Sequence, residues 1–125
     1  MRADHLYEYA VVRYVPLVER EEFVNIGLIM MCKRQRWIRV QWHLDPVRLA
    51  ALKGSAPVAD IERQLATFAD TASGATPEVR EWPVEDRFRW LTAEKSACLA
   101  TSRPHPGTTD NLDHTFARLF SEYVL

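Results

Sequence analysis

The chain is short of the features that announce a familiar chemistry. It has two cysteines, Cys32 and Cys98, and they form no C-x-x-C pair, so neither a zinc knuckle nor a dithiol redox motif is written locally. His5, His43, His105 and His114 show no metal-ligand spacing either. No metal site is expected, and no cofactor is called for. Neither G-x-x-x-x-G-K nor G-x-G-x-x-G occurs, which removes those two phosphate loops, and there is no G-x-S-x-G elbow for a nucleophilic serine. Lys and Arg number 16 against 17 Asp and Glu, a formal net charge of −1. That balance removes the simplest case for a whole-surface nucleic-acid or membrane binder. The longest apolar run, Ile26 to Cys32, is far short of the ~20 residues that a membrane helix needs. The segment Met1 to His5 lacks the apolar stretch of a secretory signal. A cytoplasmic protein with reduced thiols and no membrane association is therefore expected.

What is present is the composition of a folded domain. With 125 residues, 47% of them hydrophobic and 26% charged, residues 1–125 suit a single domain with one sizeable core. Leu6 to Pro16 reads as a strand rich in tyrosine and valine and closed by proline. The acidic loop around Glu19-Arg20-Glu21-Glu22 leads to a second strand, Phe23 to Cys32, and Lys33-Arg34-Gln35 turns into a third, Arg36 to His43. In the third strand Trp37, Arg39, Gln41 and His43 alternate with Ile38, Val40 and Trp42, which gives the sheet one largely polar face. Asp45-Pro46 opens a short helix through Leu52, and Val58, Ile61, Leu65 and Phe68 form the apolar stripe of a longer one. Thr71 to Pro77 reads as a loop, Val84 to Leu91 as one or two helical turns, and Ser96 to Ser102 as a last strand. Ser102 to Asp110 is turn-rich. Asp110 is then expected to cap a C-terminal helix with Leu112, Phe116, Leu119 and Tyr123 facing inward. The fold class is α+β, with about four strands in an antiparallel sheet and helices packed on one face.

Several polar residues sit where burial makes them costly unless something satisfies them. Arg13, in an otherwise apolar strand, pairs with a carboxylate such as Glu22 or Glu8, or else points at an anionic ligand. Asn25 and Gly27 are disfavoured in a strand; a bulge with Asn25 bonded to a loop amide is the simpler account. Arg87, Arg89 and Trp90, together with Arg103 and His105, could frame a phosphate or oxyanion pocket, arginine supplying a rigid donor fork and histidine a further donor. Lys33, Arg34, Arg36 and Arg39 interleave with Trp37, a pattern compatible with single-stranded nucleic acid but also with a charged, aggregation-resistant edge. Exposed tryptophans, Trp37, Trp82 or Trp90, would instead mark an interaction surface.

The run Y-A-V-V-R-Y-V-P from Tyr9, E-F-V-N-I-G from Glu22, R-F-R-W-L-T from Arg87 and H-P-G-x-T-D from His105 together resemble the bacterial domain-of-unknown-function family 3037. The resemblance implies a small bacterial cytosolic protein of unassigned activity, often encoded beside a HipA-like kinase of the toxin–antitoxin type. It carries over no catalytic residue; its pattern falls on Arg13, Tyr14, Glu22, Asn25, Arg87, Arg89, Trp90, His105 and Gly107. The leading expectation is thus a non-catalytic accessory or interaction protein of such a kinase. The alternatives are a small anionic-ligand or phosphate-binding protein, conceivably an enzyme, and, less favoured, a single-stranded nucleic-acid binder. The polar sheet face also leaves room for a homodimer.

Overall fold

The first strand organises everything else. In the computed structural model, which describes residues 4–93 and 97–125, β1 (His5–Tyr14) lies in the middle of a five-stranded antiparallel sheet. One edge of β1 pairs with β2 (Val24–Cys32), and β2 pairs with β3 (Trp37–Trp42). The other edge is shared by two short strands in succession, β4 (Leu99–Thr101) beside Val12 to Tyr14 and β5 (His105–Thr109) beside His5 to Tyr9. Between them the register slips by one residue. Ser102 bridges the slip: its amide donates to the Val11 carbonyl at 2.9 Å, and its Oγ accepts from the Val11 amide at 2.9 Å. A side chain thereby replaces a backbone acceptor for one buried N–H of the central strand.

The α+β class and the antiparallel sheet are as expected, with two differences of detail. The sheet has a fifth strand, because the turn-rich His105–Thr109 segment pairs with β1 despite its proline. Pro106 is tolerated there because β5 is an edge strand, where a missing N–H breaks no ladder. Second, helices cover both faces. Helices α1 (Pro46–Ala50), α2 (Val58–Ser73) and α3 (Val84–Thr92) bury Leu49, Ile61, Leu65, Val84, Phe88 and Leu91 against Ala10, Val12, Tyr14, Ile29 and Met31. Helix α4 (Leu112–Tyr123) lies on the opposite side, where Phe116, Leu119 and Phe120 meet Tyr7, Leu28 and Met30. The polar alternation of β3 is that of an edge strand. The unbroken apolar run of β2, buried from Ile26 through Cys32, is the pattern of a strand covered on both faces.

Local signals account for the element ends. Asp45 caps α1 by accepting from the Val47 and Arg48 amides. α2 runs through Ser73, into the segment expected as loop, and ends at Gly74 in the left-handed region at φ 80°. α4 is capped by Asn111, whose side chain accepts from the His114 amide at 3.0 Å; the cap expected at Asp110 is one residue early. Tyr123 was expected inward but is 41% exposed, and Val124 is the buried residue at that end. Arg36 is the left-handed residue of the β2–β3 turn, with φ 51°, so β3 begins one residue later than its charge pattern suggests. Ser96, the expected start of the last strand, lies outside the described residues.

The bulge expected at Gly27 is present. Val12 pairs with Gly27 and Arg13 with Asn25, so Ile26 is the extra residue and turns into the larger core cluster. A Cβ on Gly27 would meet the Gln41 carbonyl oxygen at 2.9 Å and Trp42 Cβ at 3.3 Å. Gly27→Ala should therefore destabilise the fold by about 1–3 kcal/mol in chemical denaturation; an unchanged midpoint would show that the strands are not this close. Ser102→Ala leaves the Val11 amide without its acceptor and should also cost about 1–3 kcal/mol.

Candidate functional site

Most of the polar residues singled out in the sequence have structural partners, and they lie on separate parts of the surface. Arg87, on α3, donates from Nη1 to the Ala72 carbonyl at 2.9 Å and so caps the C-terminal turn of α2, where the helix dipole favours a cation. Arg89, two residues on, forms a two-point bond with Glu8 of β1, at 3.0 and 2.6 Å. This bond holds the Arg89 guanidinium above its ordinary pKa. Glu22 pairs with Arg20 at 2.5 Å on the surface, which lowers the Glu22 carboxyl below its ordinary value. Asn25 donates to the Tyr123 carbonyl at 3.2 Å, and Arg48 donates to the Val124 carbonyl at 2.9 Å. The two secure the C-terminal end of α4. Asn25 thus serves a helix end rather than a loop amide.

The basic hairpin is similarly occupied. Arg39 pairs with Asp113 of α4 at 3.4 Å, and its guanidinium carbon stands 4.6 Å from the centre of the Phe116 ring. Trp37 meets the same ring at 77° with centres 6.3 Å apart and packs with the smaller core cluster. Trp42 joins Ile38 and Val40 against the larger cluster. Among the described residues no group of three or more histidine, cysteine or acidic side chains is placed to hold a metal, and both cysteines are free.

Arg13 behaves differently. Both carboxylates proposed for it are taken, Glu22 by Arg20 and Glu8 by Arg89. Its guanidinium carbon lies 4.3 Å from the centre of the Phe23 ring, and its Nε is buried without a hydrogen-bond partner. Arg13 lines a cleft of about 340 Å³ together with Arg103, which extends from the break between β4 and β5. The structure therefore brings Arg13 and Arg103 together. Arg87 and Arg89 line other hollows, and His105 packs on Tyr9 with ring centres 5.3 Å apart. The grouping of Arg103 with Arg87, Arg89 and His105, suggested by closeness in sequence, does not occur among these clefts.

Trp90 belongs to a second feature. It is 54% exposed, and its ring meets that of Trp82, 38% exposed, edge to face at 6.2 Å. On α3 the helical repeat places Asp86, Arg89 and Trp90 along one side, and with Trp82 and Ala93, which follows the helix, they form a shallow apolar hollow with charged margins. Asp86 and Arg89 are shared with the adjoining cleft of about 300 Å³ that contains exposed Leu6. Trp82 lies outside any helix; the turn Pro77–Val79 and Pro83 hold it beside the start of α3.

A cluster that the sequence did not single out surrounds Tyr9, whose ring stacks on Tyr123 at 6.0 Å and against His105. Burial pushes the Tyr9 phenol up to about 12 from an ordinary 10.0, helped by its hydrogen bond to Tyr123 and by the charges of Tyr123, Tyr7 and Glu122. Between these values the folded chain keeps a proton that the unfolded chain has lost. The contribution to stability is therefore complete below pH 10.0 and disappears as the pH rises toward about 12. Denaturation midpoints should fall more steeply over that interval in the native protein than in Tyr9→Phe; equal slopes would contradict the assignment.

No curated protein and no solved structure matches the chain. The model of one protein family, described as "Protein of unknown function (DUF3037)", matches residues 9–124. Nearly the whole chain is covered, and the protein belongs to that family.

Proposed function

We propose that the protein is a non-catalytic interaction protein that docks a partner through the Trp82–Trp90 surface. The observation that carries this reading is the exposed, mutually packed tryptophan pair on one side of α3. Exposed tryptophans cost solubility, and they are the residues that most often dominate binding energy when covered. Asp86 and Arg89 at the margin supply the charged rim of such a patch, and Leu6 extends its apolar area toward β1. Rigidity supports the reading as well. α3 is fixed from below by Phe88 and Leu91, and Arg87 and Arg89 tie it to α2 and to β1. A pre-set surface loses little side-chain entropy on docking.

The partner we put first is the HipA-like kinase of bacterial toxin–antitoxin type that the family resemblance implies, the complex forming in the cytoplasm. The protein in this reading contributes binding and no reacting group. Co-expression of the two chains followed by titration of the purified partners tests it. Trp90→Ala and Trp82→Ala should each weaken binding by about thirtyfold, the loss typical of a buried anchor of about 2 kcal/mol. Val47→Ala, at an exposed position on α1, should leave it unchanged. Failure of the native protein to bind the kinase would overturn the partner, and full binding by both tryptophan variants would overturn the surface.

A further inference from the structure

We infer that the cleft at the break between β4 and β5 is a binding site for a small phosphorylated ligand, with Arg13 and Arg103 as its anchors. This site is separate from the tryptophan surface, and it stands whether or not that surface docks a partner. Three observations meet there.

The first is charge. Arg13 and Arg103 both line the cleft, and among the described residues no carboxylate shares its wall. The other four clefts described each contain at least one acidic side chain. Arg20, Arg39, Arg48, Arg87 and Arg89 each donate to a carboxylate or to a helix-end carbonyl, whereas neither candidate carboxylate reaches Arg13. Two guanidinium groups held on one small concavity repel each other, and an anion between them relieves that repulsion.

The second is unspent hydrogen bonding. Of the buried side-chain polar atoms without a partner, two belong to residues of this one cleft, Arg13 Nε and Thr101 Oγ1. Buried polar groups are almost always satisfied, so two orphans beside one cleft mark hydrogen-bonding capacity that the fold itself leaves unspent there. The neighbouring hydroxyls are already used: Thr92 donates to the Phe88 carbonyl at 2.8 Å and Ser102 to the Arg103 carbonyl at 3.1 Å. Thr101 is the hydroxyl that remains.

The third is the mounting. Arg13 is held in the central strand between Asn25 and Ala100, and the face of its guanidinium is covered by Phe23. That contact, with the guanidinium carbon 4.3 Å from the ring centre, fixes the group beside the cleft, and a guanidinium is the side chain best suited to hold phosphoryl oxygens. Arg103 is presented by the register slip, where Ser102 on one side and Pro104 on the other restrict the backbone. The cleft has room for a phosphoryl group and a small organic residue. A doubly charged phosphate gains from both arginines together, which a single carboxylate oxygen pair does less well.

Calorimetric titration of the full chain with inorganic phosphate and with glycerol 3-phosphate, each at ionic strength matched with chloride, tests the site. Saturable binding of one molecule per chain is expected. Arg103→Ala, a change at an exposed residue, should weaken it at least about tenfold, equivalent to about 1.4 kcal/mol. Arg13→Lys, which keeps the charge but removes the fork, should weaken it by a similar factor, while Arg34→Ala on the distant hairpin should leave it unchanged. Tighter binding of the ester than of phosphate would identify an organic phosphate as the ligand, and equal binding would identify free phosphate. No saturable binding of either probe, or equal loss in the Arg34 and Arg103 variants, would overturn the proposal.

Discussion

The structure depends on keeping both edges of β1 paired. Strands β2, β4 and β5 all bond to it, and both core clusters draw on its side chains, Tyr7 on one face and Ala10, Val12 and Tyr14 on the other. A central strand cannot leave backbone groups unsatisfied, because no water reaches them. On one edge a long partner, β2, meets this demand with a single bulge. On the other edge it is met by two fragments out of register by one residue, joined by Ser102. The bulge falls between Val12 and Arg13, and the slip on the other edge falls just before it, between Tyr9 and Val12. Arg13 keeps a partner on each edge, Asn25 and Ala100, immediately beyond these irregularities.

The charged residues divide according to what they hold in place. Arg87, Arg48 and Asn25 satisfy carbonyls at helix ends, and Arg89 and Arg39 tie helices to the sheet through Glu8 and Asp113. Exposed ion pairs of this kind add little to stability individually. Their value here lies in fixing where α3 and α4 sit, and hence in the rigidity of the tryptophan surface. Arg13 and Arg103 hold no comparable partner among the described residues.

The helices could be read from the sequence because their signals are local: Asp45-Pro46 before α1, the apolar stripe of α2, and the acids at the start of α3. The same holds for β1, β2 and β3, whose expected limits differ from the observed ones by one or two residues. β5 was hidden by Pro104, Pro106 and Gly107, which look like a turn until the edge position is known and Gly107 is seen to make room for the Tyr7 ring. The second helical layer was hidden because the polar face was inferred from β3, an edge strand, and not from the continuous apolar run of β2. For the candidate site, the sequence grouped Arg13, Arg87, Arg89, Arg103 and His105, and of these only Arg13 and Arg103 line one cleft. Arg103 lies 14 positions after Arg89 but 90 after Arg13, and only the β1–β4 pairing brings the distant pair together. Strand order is a long-range property that no local pattern encodes.

Taken together, the fold is a scaffold with a rigid aromatic surface on α3 and a basic cleft at the irregular edge of β1. Both require that the β4–β5 junction be an ordered part of the sheet and not a loop that merely passes it. Amide hydrogen exchange at Val11 measures this most directly, because its N–H is held by the Ser102 side chain and by nothing else in the ladder. The account requires Val11 to exchange as slowly as the flanking β1 amides and to speed up selectively in Ser102→Ala. Exchange at the rate of a surface loop in the native protein would contradict it.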